Sequence, residues 1–138
     1  MKLTTKRLIL RAVTNKDIPD IVGNINNLNV TKWLSVVPYP YNKKDAKIWI
    51  KEKIKEERKK KRDSYQFVIE LKSEKRVIGG MGIHHIDNFQ GKARVGYWLG
   101  QKYWRQGYGS EALEALLSFG FKKLKNVKIP LLNKIFEV

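Results

Sequence analysis

The chain has 138 residues, 42% of them hydrophobic, which is the size of one domain with a single modest core, spanning residues 1–138. No apolar run approaches the ~18–20 residues of a membrane span, and the absence of cysteine excludes disulfides, thiolate metal sites and an acyl-cysteine intermediate. With 29 Lys and Arg against 13 Asp and Glu the formal net charge is +16, a field that concentrates anions, nucleic acid and ribosome surfaces included; a generally lysine-rich, solvated surface accounts for it equally well. Met1 leads almost directly into a strand pattern rather than an apolar signal region, so a cytoplasmic protein without a membrane partner is the expectation.

Lys2 to Val13 reads as the first strand, with Leu3, Leu8, Leu10 and Ala12 on one face and Arg7, Ile9 and Arg11 on the other. Thr14 or Asn15 is placed to cap a helix over Asp17 to Ile25, with Asp17 and Pro19 in its first turn, and the asparagines between Asn24 and Asn29 end it. Lys32 to Tyr41 is a loop holding Trp33, Tyr39 and Tyr41 with Pro38 and Pro40, an aromatic cluster that serves either a ligand or a satellite core. Asn42 caps a second helix running to about Lys60, whose stripe is Ala46, Trp49, Ile50 and Ile54. The basic run Arg58 to Arg62 that follows fits a solvated helix end or a nucleic-acid patch.

Tyr65, Phe67, Ile69 and Leu71 alternate as a strand; Val77 to about Ile86 forms the next, with Gly79, Gly80 and Gly82 leaving room for a bulge or close backbone approach. After a turn over Asp87 to Gly91, Val95, Tyr97 and Leu99 mark a third strand of this group. It runs into a turn with glycines at 107 and 109 and then a helix with Ala112, Leu113, Leu116 and Leu117 at helical spacing and Ser110 placed to cap. Such a turn gathers unpaired N–H groups at the positive end of a helix dipole, an anion site. Gly107-x-Gly109-x-x-Ala112 also fits a dinucleotide fingerprint, but it comes late and is followed only by Glu114 and Glu137 as acidic residues, without the required carboxylate about 20 positions on. The order of elements is that of an α+β (mixed α/β) fold with a mostly antiparallel sheet flanked by helices.

Gly96-Tyr97-Trp98-Leu99 followed by Tyr103-Trp104-Arg105-Gln106-Gly107-Tyr108-Gly109-Ser110-Glu111-Ala112 resembles the acetyl-CoA-binding segment of the GNAT (Gcn5-related N-acetyltransferase) family. Within it the ribosomal-protein N-acetyltransferase branch is most similar, because Thr5 to Val13 with Asp17, and Val77 to Gly82, resemble two further segments in the same order. Trp104 stands where the family often has Gln or Arg, and Arg105 is the candidate to supply that charge. The resemblance implies acetyl-CoA as co-substrate, an amine acceptor and direct attack in a ternary complex. It assigns cofactor binding to Tyr97, Trp98 and Leu99, through a splayed strand, and to Arg105, Gln106, Gly107, Tyr108, Gly109 and Ser110 around the diphosphate. Trp33 and Tyr39 fall in the segment that lines the acceptor side.

The base is the open assignment. His84 and His85, the only histidines, are adjacent and point to opposite faces, so one of them at most meets a cleft. Asp87 and Glu70 are the carboxylate candidates, and Glu111 reads as support for the third helix. Two histidines without clustered acids make no metal site. Val127 to Ile129 and Ile135 to Val138 have strand character, but the family's further strand, helix and two strands do not fit after Leu124, so a C-terminally truncated version is expected. Leu131, Leu132, Ile135 and Phe136 on an uncovered edge would then favour a homodimer. An inactive CoA-binding remnant and a basic module for nucleic acid, ribosome or another acidic partner are the competing readings.

Overall fold

The computed structural model describes residues 2–34, 37–59, 63–87, 89–90 and 92–123. The expected strands beyond Leu124, the edge residues Leu131 to Phe136 and the Lys60–Arg62 part of the basic run lie outside them.

The N-terminal pattern folds as a hairpin rather than one strand: β1 (Lys2–Thr4) pairs antiparallel with β2 (Leu8–Arg11). Its turn carries no glycine or proline. Thr5 closes it instead, its N–H donating to Leu8 O at 2.9 Å while its Oγ1 accepts from Leu8 N at 3.0 Å. Thr14 and Asp17 form a capping box ahead of α1 (Ile18–Ile25), with Pro19 tolerated in the first turn. A short helix α2 (Leu28–Thr31), not evident in the pattern, starts where Asn27 Oδ1 accepts from Asn29 N. Asn42 and Asp45 make a second capping box, at 3.0 and 2.9 Å, for α3 (Lys43–Glu57). In α3, Ala46 and Ile50 are buried while Trp49 and Ile54 pack at the margin of the core.

Strands β3 (Tyr65–Leu71), β4 (Arg76–Asp87) and β5 (Lys92–Leu99) continue the meander, giving the order β1-β2-β3-β4-β5 with every described pairing antiparallel. A 3₁₀ turn over Gln101–Tyr103 leads into α4 (Tyr108–Lys123). The period-two alternation puts Leu8, Leu10, Phe67, Ile69, Met81, Ile83 and Val95 on one face, where Ala112, Leu116 and Phe119 of α4 cover them. Phe119 meets Tyr65 and Phe67 edge-on, with ring centroids 5.3 and 5.6 Å apart. Val68 and Val77 lie on the opposite face under α1 and α3. The sheet is therefore sandwiched between helices. Among the described residues no helix is long and apolar enough to cross a membrane.

Candidate active site

The turn between β5 and α4 contains two left-handed residues, Arg105 (φ 61°) and Gly107 (φ 82°), on either side of Gln106. Two such residues so close together curl the main chain into a concave arc. The first amide to close the ladder of α4 is that of Glu111, donating to Gly107 O at 3.0 Å. The amides of Tyr108, Gly109 and Ser110 precede it and emerge at the positive end of the helix. Ser110 is thus not the cap: it sits exposed inside the first turn, because the chain becomes helical as soon as it leaves Gly107.

Two side chains not singled out as site residues, Arg7 and Glu111, hold this turn. Arg7 Nη1 donates to Gln106 O at 3.0 Å, and its guanidinium carbon lies 4.3 Å from the Tyr108 ring centre. Arg7 Nε and N donate to Glu111 at 2.7 and 2.8 Å, and Thr5 Oγ1 donates to the same carboxylate. Burial pushes the Glu111 carboxyl up, but the Thr5 and Arg7 donors outweigh it and hold its pKa below the ordinary value.

The end of β5 is tied to the turn as well. Trp104 Nε1 donates to Leu99 O at 2.9 Å, and Gly100 N to Ile78 O at the same distance. The residue standing in place of the family's Gln or Arg therefore fixes the strand end, and Leu99's carbonyl already has a partner. Tyr97 lies under the helix start, its Cε2 3.2 Å from where a Cβ on Gly109 would sit. Trp98 points to the other face, where it helps line a cavity of about 400 Å³.

That cavity lies between the sheet and the α1–α3 layer. Ile21 and Ile25 come from α1, Leu34, Val37, Pro38 and Tyr41 from the following loop, and Asp45, Ile48, Trp49, Glu52 and Lys53 from α3. Gln66, Gly80, His84, Gly96, Tyr97 and Trp98 form the sheet side. Burial, then the positive charge of Lys53, then His85 bring the His84 pKa down to about 4, so its imidazole is neutral at pH 7. The register of β4 and β5 shifts between His84 and Asp87, and His85 takes up the irregularity with φ 54°, exposed. Burial and Asp45 raise Tyr41 to about 12, which keeps its phenol protonated.

The other candidates are placed elsewhere. Asp87 Oδ1 accepts from the amides of Phe89 and Gln90, both at 3.0 Å, and shapes the β4–β5 turn. Glu70 is bound by Arg11 Nε at 2.8 Å. Trp33 and Tyr39 are 62% and 52% exposed and do not line the cavity, although Leu34, Val37, Pro38 and Tyr41 of the same segment do. Sequence reading passed over Arg7, Gln66, Glu52, Lys53 and the cavity face of Gly96. Gln66 was detectable as a polar residue on the alternate face of a strand.

Residues 7–133 match the family model of the acetyltransferase (GNAT) domain. The chain belongs to the GNAT acetyltransferase family. N-acetyltransferase p20 of Bacillus licheniformis, itself uncharacterized, is 30% identical over 122 residues, which are 88% of this chain and 67% of p20. A protein from Vibrio cholerae assigned as a ribosomal-protein-serine acetyltransferase superposes with a TM-score of 0.81 at 27% identity, covering 94% of this chain and 71% of that one. The microcin C7 self-immunity acetyltransferase MccE, solved with acetyl-CoA and AMP, shares the GNAT fold at a TM-score of 0.71 and 19% identity, over 91% and 69% of the two chains. The mostly antiparallel sheet flanked by helices is the GNAT architecture, and the relatives of this chain are N-acetyltransferases.

Proposed function

We propose that the chain moves an acetyl group from acetyl-CoA to a primary amine by direct attack in a ternary complex. One observation carries this reading: the curled turn at the start of α4, with its outward amides, is joined through Tyr97 and Trp98 to the cavity on the other face of β5. In it, the amides from Arg105 to Ser110 hold the diphosphate, Gln106 and Arg105 flank it, and the end of β5 guides the pantetheine arm toward the cavity. The amine enters as an ammonium and gives one proton to His84, directly or through water. Its nitrogen forms a bond to the thioester carbonyl carbon, the C–S bond breaks, and the thiolate takes the second nitrogen proton. The outcome is an acetamide, free CoA and one proton released to solvent when His84 resets. His84 is neutral at pH 7 and free to accept a proton; its pKa of about 4 makes it a weak base, so it serves as a relay that passes the proton on to water rather than holding it. Primary amines are the acceptor class, and the +16 charge draws the anionic diphosphate of the coenzyme toward the protein.

Calorimetric titration of acetyl-CoA tests the diphosphate site. Gly107→Val should weaken binding at least tenfold, because its φ of 82° is hostile to a β-branched residue and a side chain obstructs the phosphate. Gly107→Asn tolerates the dihedral, so a loss there as well isolates the steric term. Affinities within threefold of wild type for both variants would refute the site.

A further inference from the structure

Gly82 and Gly96 face each other across the β4–β5 pair, with His84 at one end of the bare strip and Trp98, opposite Gly80, at the other. The strip is not filled uniformly. A Cβ on Gly82 would fall 2.7 Å from Gln66 Oε1 and 2.9 Å from His84 Cε1, whereas one on Gly96 would meet only His84 Cδ2, at 4.0 Å. The space over Gly96 is therefore open, and it is the floor of the 400 Å³ cavity, a volume in the range of small-molecule sites.

From this juxtaposition we infer that the acceptor is a small monoamine with an apolar body of aromatic size, seated over Gly96 with its nitrogen toward His84. The inference rests on the acetyltransferase reading and deepens it. Ile48, Trp49 and Trp98 offer the body flat apolar surface, and Ile48 is 54% exposed, so the approach is apolar as well. Two polar side chains of the wall already have partners. Asp45 closes the capping box of α3, and Gln66 Nε2 donates to Phe67 O at 3.2 Å. Ile21, Ile25, Leu34, Val37 and Pro38 make the rest of the wall mainly apolar, so the main-chain N–H and C=O groups of a peptide laid here would lose more hydration than the body of a monoamine does. Lys53 of the same wall, 3.4 Å from Glu56 and over Trp49, sets a positive charge beside the cavity that disfavours a second ammonium there. Glu52, on the same wall as Asp45, provides a carboxylate to attract the cation.

Titration of tryptamine, spermidine and trialanine into the protein saturated with CoA, the unreactive product, tests this. Tryptamine should bind at least tenfold more tightly than the other two. Gly96→Val should weaken tryptamine at least tenfold and Gly96→Ala two- to threefold, both with the urea-unfolding midpoint of wild type, a graded pair that separates cavity filling from misfolding. Equal or tighter binding of spermidine or trialanine, or indifference of tryptamine to both substitutions, overturns the inference. The acetyltransferase reading stands or falls separately, on acetyl-CoA binding and on CoA release with any amine. Tryptamine binding to a protein that ignores CoA would reject that reading and keep the pocket.

Discussion

Removing the Glu111 carboxylate should cut the tie between the N-terminal hairpin and α4. Its side chain is 18% exposed and accepts from Thr5 Oγ1, Arg7 N and Arg7 Nε, partners more than a hundred residues away in sequence. Hydrogen bonds to a charged acceptor contribute ~1.5–3 kcal/mol each, so Thr5 and the Arg7 amide together supply ~3 kcal/mol at the lower end. The Arg7 side chain is 40% exposed, and solvent screening reduces its ion pair to under ~1 kcal/mol. Glu111→Ala should therefore cost ~3–4 kcal/mol, a large part of the ~5–15 kcal/mol that holds a domain of this size. Glu111→Gln, which keeps an acceptor but loses the charge, should cost about half as much.

Urea unfolding followed by tryptophan fluorescence reads both values. The pH dependence supplies a second check. Since the folded pKa of Glu111 lies below its ordinary 4.5, its stabilisation is complete above that value and disappears as pH falls through the lower, folded one. The gap between wild type and Glu111→Gln should accordingly be constant from pH 7 to about 5 and close in stronger acid. A Glu111→Ala loss under ~0.5 kcal/mol, the size of an ordinary surface substitution, or a gap that ignores pH, would refute the reasoning.

His84→Gln should lower kcat by ~10²-fold or more if the imidazole takes the proton. The wild-type profile should lack an ionisation near 6.5 and fall off near 4; an acid limb at 6.5 would contradict the buried, neutral histidine. Because its folded pKa of about 4 lies below 6.5, protonation favours the unfolded chain, so stability conferred above pH 6.5 drains away between 6.5 and 4, and His84→Gln should be flat in that window. Arg11→Ala should cost ~3–5 kcal/mol by urea unfolding, since Arg11 bridges Asp17, whose side chain is 6% exposed, and Glu70. Burial lifts the Asp17 carboxyl while Arg11 and the Thr14 amide bring it lower still, so this loss should shrink as pH drops below about 4; a loss under 1 kcal/mol would mean the pair is replaced by water.

Features that depend on one residue's backbone chemistry were legible in the sequence. Asn42 marked the start of α3, and alternation from Tyr65 to Leu71 marked β3 with the right face inward. The β5–α4 turn was visible because glycines at 107 and 109 are punctuation with a physical cause, and Gly107 does adopt a positive φ. The β1–β2 hairpin was not, because Thr5 closes its turn with a side chain that an alternating strand carries equally well. The asparagines from 24 to 29 read as a helix end, yet Asn27 also begins α2, since the residue that stops one helix is chemically able to cap the next.

What the sequence leaves hidden is anything made by two segments together. Arg7 looks like a strand residue and Glu111 like a helix-start acid until the hairpin is folded against α4. In the sequence the glycines of β4 signal only room for a bulge or for backbone approach. Opposed to Gly96 across the ladder, Gly82 gains a different meaning, because only antiparallel register brings two missing side chains to one place. Each glycine alone weakens its strand; facing each other under α3, they leave the floor on which a ligand can lie. A strand pays for such a strip in packing, and the Cβ geometry says where that loss goes: over Gly82 it is recovered by Gln66 and His84, over Gly96 it is left open. The open half is the one beside Tyr97 and Trp98, the residues through which the cavity meets the turn.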